Sequence, residues 1–167
     1  MKKTLILLLP IAALAACSNE KSSTITTPDG ETVTATSDGD GDSGTYKVET
    51  DKGTTTVTTG SKATSDLPYG LTIYPGGKVL SNISSSGEGG SGTMLSYASN
   101  ASPADIVAHY KKFAADNGFK IEGEASVNEM MTFGAKKGED VFQITAQPDA
   151  AGSDGKTSVM VIAGMSG

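Results

Sequence analysis

The chain has 167 residues, 13 basic side chains that are all lysine, 19 acidic ones, a formal net charge of -6 at pH 7 and a single cysteine. An acidic body has no electrostatic attraction for nucleic acid, and a chain without arginine lacks the bidentate grip used on phosphates and carboxylates. One cysteine excludes a disulfide framework and a thiolate metal site, so any core holds by packing alone.

Taken in chain order, Lys2 and Lys3 precede an apolar run from Leu5 to Ala16 that ends at Cys17. Basic residues, an apolar segment and small side chains at its end have the form of an export signal. The run is 12 residues long and contains Pro10, against roughly 20 apolar residues for a spanning helix. The stretch Leu14-Ala15-Ala16-Cys17 resembles the lipobox of bacterial lipoproteins. That resemblance implies cleavage before Cys17, leaving residues 1–16 as a signal peptide, and diacylglycerol and palmitate on the cysteine. Ser18, in place of the aspartate of an inner-membrane retention signal, points to the outer membrane, periplasmic side. The expected partners are then membrane lipid through acylated Cys17 and an envelope protein, with no nucleic acid.

Residues 17–66 are a polar segment of Ser, Thr, Gly, Asp, Glu and Lys with isolated apolar positions such as Ile25, Val33, Tyr46, Val48 and Val57. Such a composition buries too little apolar surface to offset its ordering entropy as an independent core, which favours a mostly disordered tether. Two weak repeats, from Thr24 and from Lys47, each run through a turn-like pair into a Thr/Val stretch and have hairpin-forming character. They can also be an exposed ribbon or dock on the following domain. Within this segment Asp38, Asp40, Asp42 and Glu49 resemble the ligand order of an EF-hand calcium loop. Ser43 stands where that loop has its glycine, and no helix-forming sequence flanks it. The bland alternative is an acidic linker kept soluble by charge.

A folded domain is expected over residues 67–167. Leu67 to Gly77 supplies apolar anchors, two prolines and a glycine pair, a rigid lead-in whose Tyr69, Leu71, Ile73 and Tyr74 cover one edge of the core. Strands are predicted at Lys78–Ile83, with Val79 and Ile83 inward, and at Thr93–Ala98, joined by a mobile Ser84–Gly92 loop. Ser102, Pro103 and Asp105 form a capping box ahead of the helical stripe Ile106, Val107, Tyr110, Phe113 and Ala114, and Asn117-Gly118 ends the helix. His109, the only histidine, sits on the flank of that stripe without a nucleophile or carboxylate placed to make it a catalytic base.

After the helix, Phe119–Glu122 is predicted as a strand and Glu124–Glu129 as a polar turn. Met130–Ala135, Val141–Ala146 and Ser158–Ala163 follow as strands, the last apolar on both faces and therefore central. The order β-β-α-β-β-β-β makes an α+β fold, an antiparallel sheet with one amphipathic helix packed on a face. The lead-in, the hairpin and the Ser102–Asn117 helix resemble a pattern of small uncharacterised bacterial envelope lipoproteins. That resemblance supports a fold and brings no catalytic residues with it.

Three functional classes follow. The first is a non-enzymatic, membrane-anchored envelope lipoprotein whose sheet edges and Ser84–Gly92 tip meet a partner, for instance by strand addition. The second is a small-ligand-binding or hydrolytic periplasmic domain, and the third a weak calcium-binding tether. No catalytic residue and no cofactor is indicated.

Overall fold

Threonine and valine favour extended backbone, and the computed structural model, which describes residues 20–28, 30–40, 43–149 and 157–165, puts most of the chain into strands. The first four are β1 (Glu20–Thr26), β2 (Thr32–Asp40), β3 (Ser43–Thr50) and β4 (Gly53–Thr59). They are followed by β5 (Lys78–Gly87), β6 (Gly90–Ser99), the helix α1 (Pro103–Asp116), β7 (Lys120–Val127), β8 (Met130–Lys137), β9 (Asp140–Pro148) and β10 (Thr157–Met165). All pair antiparallel in one ten-stranded sheet of order β1-β2-β3-β4-β5-β6-β10-β9-β8-β7, with α1 on one face.

The expectation of a mostly disordered tether is corrected by β1 to β4. Their side chains are too polar to build a core, but a ladder does not need one. Once β4 pairs with β5, Val57 opposite Ile83, each new strand finds backbone partners on the strand before it, and β3 and β2 follow in register. The two sequence repeats become the hairpins β1–β2 and β3–β4.

The predicted Ser84–Gly92 loop is also strand, turning only at Glu88-Gly89. Its glycines serve close approach: a Cβ on Gly87 would lie 2.3 Å from the Lys52 carbonyl oxygen. Ile83 points away from the helix because a bulge between Val79 and Ser81 resets the alternation. The predicted polar turn Glu124–Glu129 shrinks to Asn128 and Glu129, both at positive φ, 47° and 67°. Every residue of β7 is exposed, so this edge strand carries no burial alternation for the sequence to reveal.

The core lies between α1 and the far half of the sheet. Leu95, Val161, Ile144 and Phe133 stand in register across β6, β10, β9 and β8, all fully buried. Ile106, Val107, Tyr110 and Ala114 of α1 pack on them, each large side chain contributing roughly 1.5–3 kcal/mol. The lead-in closes the rim, with Leu71 buried and Leu67, Tyr69, Ile73 and Tyr74 packed against the cluster. Ser102 caps α1: its Oγ accepts from the Asp105 N–H at 3.2 Å and donates to the Asp105 carboxylate at 2.7 Å. At the other end the Asn117 side chain donates to the Phe113 carbonyl oxygen at 2.9 Å. β10 is central, as its two apolar faces indicate, with Val159 and Val161 buried under the helix layer and Met160 and Ile162 on the uncovered side.

Ser102→Ala should cost about 1 kcal/mol, read as a lower urea midpoint at unchanged slope. Glu129→Gly should raise stability by up to about 1 kcal/mol, because the left-handed conformation costs a non-glycine residue roughly 1–2 kcal/mol and the freer unfolded chain takes back part of that.

Candidate functional site

Residues 63–68 cross the front of β4 and β5, on the helix-bearing face, and leave a cleft beneath them. Its floor comes from alternate positions of three strands: Thr56 and Thr58 of β4, Asn82 and Ser84 of β5, and Thr93 of β6, which the register sets side by side. Leu67 and Pro68 form an apolar wall beside Asp66, around a space of about 390 Å³. A second hollow of about 240 Å³ shares Thr56, Pro68, Ser84 and Thr93 and extends the cleft toward the β5–β6 turn.

The crossing segment is held at both ends. Lys62 pairs with the Asp38 carboxylate at 2.6 Å, and the Ser61 N–H donates to the Ser43 Oγ at 3.1 Å. Asn82, only 5 % exposed, donates from its amide nitrogen to the carbonyl oxygens of Thr64 and Asp66 at 3.0 and 3.2 Å. Its Oδ1 has no partner among the described residues. That oxygen is sealed from solvent, so it lies beneath the cleft floor as a local cost to the fold, not as an acceptor open to the cleft. Sequence reasoning passed over Asn82; the only signal was an asparagine inside a run otherwise suited to a strand.

The candidates read from the sequence lie elsewhere. Cys17 and Asp42 fall outside the described residues, as do residues 1–16. Asp38 faces Thr45 across β2–β3 while Glu49 faces Thr34, four positions along the strand or about 13 Å. Asp38 is paired with Lys62 and Glu49 with Lys47, and the Asp40 backbone is strand. Among the described residues no three His, Cys, Asp or Glu side chains cluster to hold a metal ion. His109 packs edge-on between the rings of Tyr74 and Tyr110, at centroid distances of 5.4 and 5.1 Å. The described residues thus contain no catalytic metal site and no active-site cluster. The Ser84–Gly92 tip is flanked by β4 on one side, which leaves β1 and β7 as the sheet edges.

Beside the cleft, under α1, the hydroxyls of Tyr97 and Tyr110 meet at 3.2 Å, and the Tyr74 N–H donates to the Tyr97 oxygen at 3.4 Å. Burial pushes both phenols above their ordinary value, Tyr110 far above it, where the neighbouring Tyr97 adds to the effect. Tyr69 is raised as well, by burial and by the Asp140 carboxylate near its hydroxyl. These phenols stay protonated and structural over any ordinary pH.

Residues 79–156 match a family model described as START domain-like. Searches of curated proteins and of solved structures gave no match. The matched segment runs from β5 through β9, and so includes Asn82, Ser84 and Thr93 of the cleft floor. This likeness corrects the description of the chain as a palmitate- and diacylglycerol-bearing lipoprotein of the outer membrane and periplasm: the domain is similar to a START domain-like fold instead. Among the described residues no helix is long and apolar enough to cross a membrane.

The buried phenols fix an alkaline limit. Unfolded tyrosine loses its proton near pH ~10, whereas Tyr97 and Tyr110 hold theirs higher in the folded chain. The unfolded state then binds fewer protons, so stability is full below about pH 10 and falls as the pH rises beyond it. Urea midpoints measured on both sides of pH ~10 should show this fall, and the double variant Tyr97→Phe/Tyr110→Phe should flatten it.

Proposed function

We propose that this protein is a non-enzymatic binding domain that takes a small, neutral or cationic, hydroxyl- or amine-bearing ligand into the cleft beneath residues 63–68. The observation that carries this reading is the hydroxyl-lined cleft with one apolar wall, part of whose floor the START domain-like segment builds. The chemistry of the walls narrows the ligand. Thr56, Thr58, Ser84 and Thr93 offer hydroxyls that both donate and accept, and Asp66 adds negative charge. No lysine lines this cleft, so an anionic ligand would find no counter-charge. Leu67 and Pro68 provide one apolar surface against which a ring can lie. A volume of about 390 Å³ stands at the lower end of small-molecule sites, which run from roughly 300 to 1,000 Å³.

Saturation-transfer NMR with a set of neutral monosaccharides and their amino derivatives tests the reading. At least one should show transfer from the wild-type chain. Ser84→Phe, whose ring fills the cleft, should abolish it, while Ser126→Phe on the exposed edge strand β7 should leave it intact. No transfer to any of these compounds, or transfer unaffected by Ser84→Phe, would remove the proposal.

A further inference from the structure

The face of the sheet opposite α1 is uncovered, and its pattern points to a definite occupant. One register row crosses it from β2 to β8: Ser37, Tyr46, Val57, Ile83, Met94, Ile162, Gln143 and Gly134 on β2, β3, β4, β5, β6, β10, β9 and β8. Its five central members are apolar and adjacent. Tyr46, Ile83, Met94 and Ile162 are 51, 36, 40 and 39 % exposed, a contiguous ridge where scattered single residues would need no explanation.

Beside the ridge, two positions along each strand, runs the row Ser85, Gly92 and Gly164. Small side chains there leave a groove parallel to the ridge. The strand alternation sends Asp38 and Glu124 to the helix side, where they pair with Lys62 and with Lys111 of α1. On the uncovered face Lys21 stands in register with Ser37 at one end and Lys120 and Lys136 at the other, Lys78 of β5 stands opposite Ala98, four positions along β6 from Met94, and Lys52 lines the hollow over Ser85 and Gly92 from the β3–β4 turn; the ridge row itself carries no charge between Ser37 and Gly134.

We propose that this face is the interface of a homodimer, two copies packed sheet against sheet with the ridge of each seated in the Ser85–Gly92–Gly164 groove of the other. A ridge and a parallel groove on one surface are self-complementary, as an isologous two-fold interface requires, and aligned sheets pack in this way about 10 Å apart. The uncharged centre lets two copies meet without burying an unpaired charge. Area is sufficient: ten strands spaced ~4.8 Å apart and about six residues deep at ~3.3 Å project roughly 950 Å², against the ~800 Å² per partner of a standard interface. An anionic lipid surface would be served by lysines along the ridge, and the ridge row carries none between Ser37 and Gly134. The proposal does not depend on the cleft, which opens on the other face.

Sedimentation equilibrium of the full chain tests it. The wild type should run as a dimer, and Met94→Lys should raise the dissociation constant by about 100-fold or more, since each dimer then buries two unpaired ammonium groups. Gly92→Val provides a variant that keeps the fold. A Cβ there meets only the Ala163 carbonyl oxygen, at 3.7 Å, so the side chain fits the monomer yet fills the groove, and it should weaken association at least ~10-fold. A wild-type monomer overturns the proposal. So does association that survives both substitutions with the circular dichroism of the fold retained, since that association would run through another surface or through residues 1–19.

Discussion

A single helix of 14 residues is about 21 Å long, whereas ten antiparallel strands span roughly 48 Å. The helix can therefore seal only part of one face of the sheet. It does so over β8 and β9, with the Leu67–Tyr74 lead-in extending the cover toward β6 and β10. The composition follows that boundary closely. Under the cover the inward positions are Phe133, Ile144, Val161, Leu95 and Tyr97; beyond it, on the same face, they become Asn82, Ser84, Thr56 and Thr58.

That change of chemistry along one face produces the cleft. A polar floor next to an apolar wall arises because the last covering residues, Leu67 and Pro68, stand where the hydroxyl-bearing strands begin. Asn82 sits at the junction. It is in register with Leu95 of the core on one side and with Thr58 on the other, and it ties the crossing segment down through two backbone carbonyls. The same inadequate cover explains the opposite face, which has no helix at all and where Met94 and Ile162 emerge between buried neighbours.

The C-terminal half was legible in the sequence to the extent that its elements bury an alternating or helical face. The capping box at Ser102, the stripe from Ile106 to Ala114 and the two-sided β10 could all be read from periodicity. Where burial gives no alternation the reading failed. The predicted strand stops at Glu122 where the exposed β7 runs on to Val127, and the Ser/Gly run of β5 and β6 reads as a loop. Polar Thr-rich segments do not declare whether their backbone will find a partner, so β1 to β4 were read as mostly disordered.

The sequence by itself determined the acidic charge, the absence of disulfides, the helix with both of its ends, and the apolar set that forms the core, because each depends on side-chain chemistry at local spacing. Only the tertiary structure decided that the polar N-terminal segment continues the same sheet, that a bulge turns Ile83 outward into a ridge, and that Asn82 lies buried under residues 63–68. Those outcomes depend on backbone hydrogen bonds between distant strands, and these are chemically alike at every residue. Their register is written in no local pattern.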